Sequence, residues 1–376
     1  MLLSYHPLQM PSAATPGPVR LTVRAASAAY PLTIEVGLSK NLASALDDAK
    51  LPRRRLIVSS PTVWRFHGER FRSVTSEEPI LIPDGERFKN LSTVGRIYDA
   101  LVNTQADRGC AIVAIGGGVV GDVAGFAAAT FLRGVPIVQV PTTLLAQVDS
   151  AIGGKTGVNH ALGKNLIGAF HQPLAVLVDP ELLATLPRRE FRSGLYEVVK
   201  YGVIASRDLF DTIDAQLRPL FARDTAALVP IIAESCRIKA RIVGEDEKES
   251  GPRRVLNLGH TAGHALESVT KYRRFRHGEA VAYGMLTAAE LACTRDLMPR
   301  PDRDALASLI RKMGPLPPIG DLDATQVVEA VGRDKKVVDG TLHYVVPLRI
   351  GATTIATDVT GAELQDALRV VGLRGG

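Results

Sequence analysis

The sequence predicts an α/β N-terminal domain with a largely parallel, Rossmann-like sheet, followed by a mainly α-helical C-terminal domain. Short apolar runs of strand length alternate with helical patterns through roughly the first 180 residues, the order typical of a parallel sheet. From Glu190 onward, long helical periods dominate. A chain of 376 residues is also too long for one ordinary core. We therefore expect a flexible segment over residues 1–19, an α/β domain over 20–187 and a helical domain over 188–376.

The composition is that of an ordinary soluble globular protein, and it argues against several classes. Hydrophobic residues make up 46% of the chain and charged residues 22%. The formal net charge of +6 is spread over short basic runs among acids, which favours a phosphorylated or carboxylated small molecule over nucleic acid as a partner. The apolar runs are too short to span a membrane, and no signal peptide is predicted. Cys110, Cys236 and Cys293 lie far apart, which is typical of a reducing cytoplasm.

The first strand candidates are short apolar or alternating runs bounded by polar turns. In chain order they are VRLTVRA, PLTIEVG, RLIVS at Arg55–Ser59 and PILIP within Glu78–Pro83, with a helix candidate at Leu42–Asp48 between the second and third. The polar segment Asp84–Lys89 then leads into a helix over Leu91–Gln105. From its local pattern, this segment is interpreted as a helix cap with a solvated Glu and Lys.

A glycine turn follows the next strand, Cys110–Ile115. Gly116–Gly118 separate this strand from a helix over Val119–Arg133, and a strand, a glycine turn and a helix N-terminus together form an anion site. The glycines match GxGxxG, but the acid expected about 20 residues later is missing, and Asp122 lies in the turn itself. A phosphate cradle is therefore favoured over an ordinary Rossmann mode and over a turn that needs glycine for packing alone.

Polar residues follow the next strand, Pro136–Val140. The hydroxyls of Thr142 and Thr143 either contact a ligand in the crevice of the sheet or cap the helix starting at Leu144, and the cap is favoured locally. Residues Gln147–Gly168 are rich in glycine and polar side chains. We interpret them as a long loop folded over a bound anion. Ala175–Val178 is the last strand of this half.

The helical half contains candidate metal ligands. Glu197 lies on a mostly apolar helix over Phe191–Ile204, where a buried carboxylate needs a partner such as a metal. His260 and His264 are one helical turn apart, and a second helix is expected to open at His277. Without the Glu of the zincin motif, this spacing leaves a metal site and a solvated histidine pair both open. A further helix to about Met313 and a late strand pair over Leu342–Ile350 complete the chain.

Taken together, the motifs resemble the sugar phosphate cyclase family, and within it the dehydroquinate synthases. In order they are GGGVVGDVAGF, VPTTLLAQVDSAIGGKTGVNHALGKNLIG, EVVKYG, LNLGHTAGHALE and HGEAVAYGM, within a resemblance that covers roughly Leu21 to Leu368. The resemblance implies a lyase of the shikimate pathway of aromatic amino-acid biosynthesis. It would convert 3-deoxy-D-arabino-heptulosonate 7-phosphate to 3-dehydroquinate and phosphate, by transient oxidation with bound NAD, phosphate elimination, re-reduction and aldol closure.

The same resemblance implies the roles of individual residues. A divalent metal, zinc or cobalt, would be held by Glu197, His260 and His277, which moves His264 to the substrate side. The implied NAD-binding residues are Asp84, Glu86, Lys89, Gly118, Val119, Val120, Gly121, Asp122, Thr142, Thr143, Lys155, Lys164 and Thr185. The implied catalytic and substrate-binding residues are Asp149, Lys155, Asn165, Lys200, Lys239, Arg253, Asn257, His264 and one of Lys335 or Lys336.

The resemblance also implies a homodimer in which Arg133 reaches across the interface. Tyr196 departs from the family pattern, which has a small residue before the metal-binding Glu, and we expect the helix to repack around it. Two alternatives remain: another cyclase of the family, acting on glucose 6-phosphate or sedoheptulose 7-phosphate, and a metal-dependent polyol dehydrogenase that releases NADH. The set Lys239, Arg253, Asn257 and His264 favours a carboxylated substrate.

Overall fold

The structure, a computed structural model, describes residues 16–332, 337–338 and 341–375. Its strands are β1 (Val19–Arg24), β2 (Ala29–Ile34), β3 (Arg54–Ser59), β4 (Ile80–Leu81), β5 (Cys110–Gly116), β6 (Ile137–Pro141), β7 (Lys155–His160), β8 (Gly163–Phe170), β9 (Ala175–Val178), β10 (Val337–Val338), β11 (Thr341–Leu342), β12 (Tyr344–Arg349) and β13 (Ala352–Ala356). Its helices are α1 (Leu42–Asp48), α2 (Pro61–Phe71), α3 (Leu91–Asn103), α4 (Gly118–Thr130), α5 (Arg188–Ala205), α6 (Arg207–Ala215), α7 (Leu217–Phe221), α8 (Thr225–Glu245), α9 (His260–Val269), α10 (His277–Thr294), α11 (Arg300–Lys312), α12 (Ala324–Gly332) and α13 (Gly361–Val371).

The predicted fold class is confirmed. Among the described residues, seven strands form one sheet in the order β1-β2-β9-β6-β5-β3-β4, parallel throughout except for the antiparallel β1–β2 pair. Strands β5, β6 and β9 are buried along their whole length, as expected for strands covered on both faces. The glycine turn after β5 and the threonines after β6 therefore lie at the same edge of the sheet.

The segment Gln147–Gly168 differs from the predicted loop. After a short π-helical turn at Ala146–Ser150, it forms an antiparallel hairpin, β7 with β8. Gly157 and Gly168 face each other across this hairpin, and a Cβ on either would overlap a carbonyl oxygen of the opposite strand. Close backbone pairing at glycine replaces the apolar alternation that usually marks a strand, so the sequence pattern did not indicate one.

The helical half follows the sheet without a break in the hydrophobic core. One cluster of buried residues runs from β1, β2 and β9 through α5, α8, α9 and α10. The late strand pair is β12 with β13, so it extends to Ala356, beyond the predicted range. No helix in the described part of the chain is long and apolar enough to cross a membrane. The boundary near residue 187 stays a prediction.

Helices α9 and α10 meet at two glycines. Gly259, just before α9, has a φ of 76°, in the left-handed region. Its carbonyl group lies directly against Gly284 of α10. A Cβ on Gly284 would overlap that carbonyl oxygen. The approach of the two helices therefore requires glycine at position 284.

We predict that Gly284→Ala destabilises the protein by about 1–3 kcal/mol, the usual cost of overpacking a core. Urea unfolding would measure the free energy of unfolding. Gly95→Ala is the matched control, because Gly95 lies in helix α3 with open space around it, and there Ala is expected to stabilise by roughly 0.5–1 kcal/mol. Equal stability of Gly284→Ala and the wild type would contradict the close helix contact.

Candidate active site

Helices α5, α9 and α10 bring Glu197, His260 and His277 together. Glu197 lies in the buried middle of α5, and the two histidines are the first residues of α9 and α10. The Nε2 atoms of His277 and His260 lie 3.3 Å and 3.6 Å from Oε1 of Glu197. One ligand atom from each residue lies within 4.8 Å of the others. A carboxylate and two imidazoles at this spacing fit a catalytic zinc site that keeps a position open.

The charges of this cluster also fit a divalent cation. Both oxygens of Glu197 are buried and accept no well-directed hydrogen bond from the described part of the chain, although Nζ of Lys200 lies 2.5 Å from Oε2. Burial lowers the pKa of His277, but Glu197 and Glu267 outweigh this effect and raise the pKa to about 9. Two carboxylates thus flank one imidazole, Glu197 at Nε2 and Glu267 at Nδ1. A metal ion beside Nε2 would balance the charge of Glu197.

A second polar group extends from Lys200 toward the sheet. Asp149 Oδ1 accepts hydrogen bonds from the Tyr201 hydroxyl at 2.7 Å and from Nζ of Lys239 at 2.6 Å. Burial raises the pKa of Asp149, but Lys239 and Lys200 outweigh it and hold the pKa well below its usual range. Glu197, Lys200, Asp149 and Lys239 therefore form a row of alternating charges. The row joins the histidine cluster to the turn before β7.

Further basic residues lie beside this row. Arg253 is 1% exposed and donates hydrogen bonds to the carbonyl oxygens of Glu247 and Gly153. Lys155, at the start of β7, pairs with Glu249, which also accepts a hydrogen bond from the Asn257 amide. Burial, together with the positive charges of Arg253 and Lys239, lowers the pKa of Lys155 to about 7. The concentrated positive charge makes this region suited to an anion.

Two of the predicted cofactor residues, Lys89 and Asp122, lie together where α4 begins after β5. Lys89 pairs with Asp122 on α4 and donates a hydrogen bond to Oδ1 of Asn165. Burial raises the pKa of Asp122, although Lys89 opposes this effect. Asn165, predicted as a substrate contact, thus lies beside predicted cofactor residues. The positive charge of Lys239 also lowers the pKa of Asp122.

Other predicted residues have partners of their own. Asp84 accepts a hydrogen bond from the Thr62 hydroxyl, and the hydroxyl of Thr185 lies 2.8 Å from Nε2 of His67. Glu86 accepts a hydrogen bond from the Asn159 side chain. Thr143 accepts one from the Ala146 amide, as the cap interpretation predicted, and the Thr142 amide donates to the Gly116 carbonyl. Lys335 and Lys336 lie outside the described residues.

The glycine turn is suited to binding an anion such as a phosphate group. Helix α4 begins at Gly118 directly after β5, so its free amides lie at the carboxyl edge of the sheet. A Cβ at Gly117 would press on the methyl group of Thr143, and one at Gly121 would meet the Gln139 side chain. Close packing and an anion cradle both require the absence of side chains here. Val119 and Val120 continue the first turn of α4.

Sequence reasoning missed Glu267. Its side chain is almost fully buried on α9 and lies between Nζ of Lys164, at 2.9 Å, and Nδ1 of His277, at 3.7 Å. Glu267 follows His260 by seven residues, two helical turns, so helical periodicity places both on one face. That spacing was a usable signal. His264 lies on the same helix, with its ring centroid 5.4 Å from that of His260 and 5.9 Å from that of His277.

Tyr196, the departure from the family pattern, is fully buried in the main core beside Glu197. Burial raises the pKa of its hydroxyl to about 12, and its charged neighbours are Arg192 and Glu279. The ring thus packs into the core, next to an ion pair distinct from the histidine cluster. This arrangement agrees with a repacked helix.

The fold and the site together define a class, enzymes with the architecture of the sugar phosphate cyclases. The structure superposes on 2-epi-5-epi-valiolone synthase from Streptomyces hygroscopicus subsp. jinggangensis, solved with NAD+ and Zn2+ bound, with a TM-score of 0.83, 29% identity and coverage of 91% of this chain and 96% of that chain. It also matches 2-deoxy-scyllo-inosose synthase complexed with carbaglucose-6-phosphate, NAD+ and Co2+, with a TM-score of 0.83, 26% identity and coverage of 94% and 99%.

Comparison of the sequence with known families narrows this class of enzymes to one family. The family models for the 3-dehydroquinate synthase N-terminal and C-terminal regions match residues 79–193 and 194–337. A 3-dehydroquinate synthase from Nostoc sp. is 45% identical over 361 residues, which cover 93% of this chain and 98% of that relative. The chain belongs to the 3-dehydroquinate synthase family, and the resemblance predicted from the motifs is confirmed.

Proposed function

We propose that this chain converts 3-deoxy-D-arabino-heptulosonate 7-phosphate to 3-dehydroquinate and phosphate. The observation that carries the proposal is the basic group of Lys155, Lys239 and Arg253 around Asp149, which the row of charges through Lys200 joins to Glu197. A substrate with both a carboxylate and a phosphate needs fixed positive charge in a water-poor cleft. Membership of the 3-dehydroquinate synthase family supports the same substrate.

NAD and a divalent metal, zinc or cobalt, are the proposed cofactors, since the solved relatives hold NAD+ with Zn2+ or Co2+. Glu197, His260 and His277 would hold the metal, and the turn at Gly118–Asp122 would face the dinucleotide. When bound, NAD accepts and returns a hydride, and the metal acts as a Lewis acid on substrate hydroxyls. The proposed reaction is a lyase reaction, in which the C–O bond to phosphate breaks and a proton leaves the neighbouring carbon.

In this proposal, basic residues near the cluster and His264 bind and orient the substrate. Arg253 is rigidly held by two backbone carbonyls, so its charge is fixed before the substrate arrives. Lys200 lies next to Glu197, and Lys239 is anchored to Asp149. Fixed cations of this kind neutralise the charge that builds up on a departing phosphate without any reorganisation of water. His264, whose ring lies beside those of His260 and His277, would contact the substrate.

The first test is phosphate release by the purified protein, loaded with metal and supplied with NAD. We expect release with the heptulosonate phosphate and none with glucose 6-phosphate or sedoheptulose 7-phosphate. His260→Ala should lose nearly all activity, because one of the proposed metal ligands is removed. The nicotinamide absorbance should show no net change, because the hydride returns to the substrate.

Two results would contradict the proposal in different ways. Release with another sugar phosphate alone would retain the chemistry and replace the substrate. Accumulation of NADH without phosphate release would identify a polyol dehydrogenase.

The pKa of Lys155 predicts a pH effect on substrate binding. Because this pKa lies near 7, Lys155 is charged below that pH and loses its charge as the pH rises through it. An anionic substrate binds the charged form better, so KM should rise above about pH 7. Arg keeps its charge throughout this range, so Lys155→Arg should show a smaller rise. Parallel KM profiles for the two proteins would assign the titration to another group.

We also propose a homodimer in which Arg133 reaches the partner subunit's site. Arg133 follows α4 next to the exposed Leu132, and Leu166 and Phe170 of β8 expose further apolar surface. Helix α4 packs against both strands of this hairpin, so these side chains belong to one part of the molecule. Apolar surface of this kind marks an interface when it is contiguous.

Subunit complementation tests the proposal. Arg133→Ala and His260→Ala should each be nearly inactive alone, and both should sediment as dimers. Coexpressed, they form mixed dimers in which one site has an intact metal cluster and receives Arg133 from its partner, so part of the activity should return. If mixed dimers form and stay inactive, Arg133 does not act across the interface.

A further inference from the structure

Glu267 is a buried carboxylate with two different neighbours. Its side chain is 4% exposed, and a carboxylate removed from water is costly unless it is paired. Oε1 accepts a hydrogen bond from Nζ of Lys164 at 2.9 Å. Oε2 lies 3.7 Å from Nδ1 of His277 and accepts no hydrogen bond from the described residues. One oxygen is thus committed to Lys164, and the other is directed at the imidazole.

The two nitrogens of His277 face opposite carboxylates. Nε2 lies 3.3 Å from Glu197, and Nδ1 faces Glu267. A metal-binding imidazole needs an acceptor behind it, which holds the proton on the far nitrogen and leaves the lone pair of the near nitrogen for the metal. For His260 this acceptor is the Leu258 carbonyl oxygen, 3.1 Å from Nδ1. Glu267 stands in the corresponding position for His277, with a full negative charge.

Lys164 comes from a different part of the chain. It lies on β8, and its ammonium group is held between Glu267 and the face of the Tyr272 ring, 4.4 Å from the ring centroid. A lysine side chain without such partners samples many rotamers. The contact to Glu267 therefore fixes a cation of the sheet half relative to a ligand of the helical half.

We propose that Glu267 is a positioning residue that orients His277 toward the metal and Lys164 toward the crevice, so that the metal site and the basic crevice are set by one side chain. The inference rests on the proposed function, because it assumes a metal at Glu197, His260 and His277. Glu267 itself contacts neither metal nor substrate in this arrangement. Its loss should therefore weaken both functions without abolishing either.

A second cation site is the competing interpretation. His264, Glu267 and His277 also offer ligand atoms within 4.8 Å of one another. That set shares His277 with the first, so occupation of both sites would require one imidazole to serve two ions. Metal stoichiometry separates the two interpretations, since a positioning residue leaves the wild type with one ion per chain.

The test compares Glu267→Gln with the wild type by cobalt titration of the metal-free proteins. Changing a residue that orients a metal ligand typically costs about 10- to 100-fold in metal affinity, and we expect a loss in this range together with an altered visible spectrum of bound Co2+. Glu290→Gln is the matched control, because it also removes a carboxylate paired with a cation, Arg303 at 2.7 Å, away from the cluster. It should bind Co2+ as the wild type does.

Lys164→Met separates the two roles of Glu267. This variant should raise the KM for the substrate and leave cobalt affinity unchanged. In the Glu267→Gln background the same change should raise KM much less, because Lys164 has then already lost its fixed position. Glu267→Asp keeps the charge and should restore part of the cobalt affinity. Thermal unfolding of the metal-free variants checks their folding, and if Glu267→Gln does not fold, Glu267→Asp alone and combined with Lys164→Met still tests the proposal.

Three outcomes would overturn the inference. Cobalt affinity of Glu267→Gln equal to that of the wild type would remove the link to His277. Strictly additive effects of Glu267→Gln and Lys164→Met on KM would remove the link to Lys164. Two ions per wild-type chain, falling to one in Glu267→Gln, would make Glu267 a ligand. A wild type that binds no cobalt would overturn the proposed function as well, so the two failures are distinguishable.

Discussion

The withdrawal of the Glu197 carboxylate from water is the constraint on which the rest of the site depends. A buried carboxylate is tolerated only when opposite charge lies close to it. Burial raises its pKa, but Lys200 and His277 outweigh this effect and keep the pKa below its usual value. Helix α5 can therefore hold a charged side chain inside the hydrophobic core. The neighbouring elements must lie where their side chains bring opposite charge close to Glu197.

The partner that balances the charge of Glu197 is itself buried and needs a partner of its own. Lys200 is itself 1% exposed, and its charge is shared with Asp149, which Lys239 and Tyr201 also contact. Each buried charge thus requires the next one, and the row ends in the crevice at the edge of the sheet. Because these residues come from both halves of the chain, the electrostatic row fixes the halves relative to each other at the site. The hydrophobic core, which is continuous between the two halves, also holds them in this relative position.

The sequence could predict features that leave a local pattern, and it could not predict those that depend on contacts between distant segments. The buried strands β5, β6 and β9 were evident, because strands covered on both faces leave uninterrupted apolar runs. The β7–β8 hairpin was not, since it forms by backbone pairing at Gly157 and Gly168. Helical spacing brought His260 and His264 together but could not join either to Glu197 on a separate helix, and the family motifs were needed for that. Glu267 was missed because a lone Glu on a helix is usually solvated.

The N-termini of α9 and α10 at the site affect the binding of a cation and of an anion in opposite ways. His260 and His277 are the first residues of α9 and α10, and a helix N-terminus carries a partial charge of roughly +0.5. These ends disfavour a cation, so a divalent metal there would need more negative charge than Glu197 alone provides, and in the proposed arrangement Glu267 would add it. The same helix ends favour an anion. In the proposed function, the carboxylates would therefore balance the charge of the metal, whereas the helix N-termini would act together with Lys155, Lys239 and Arg253 on the anionic groups of the substrate.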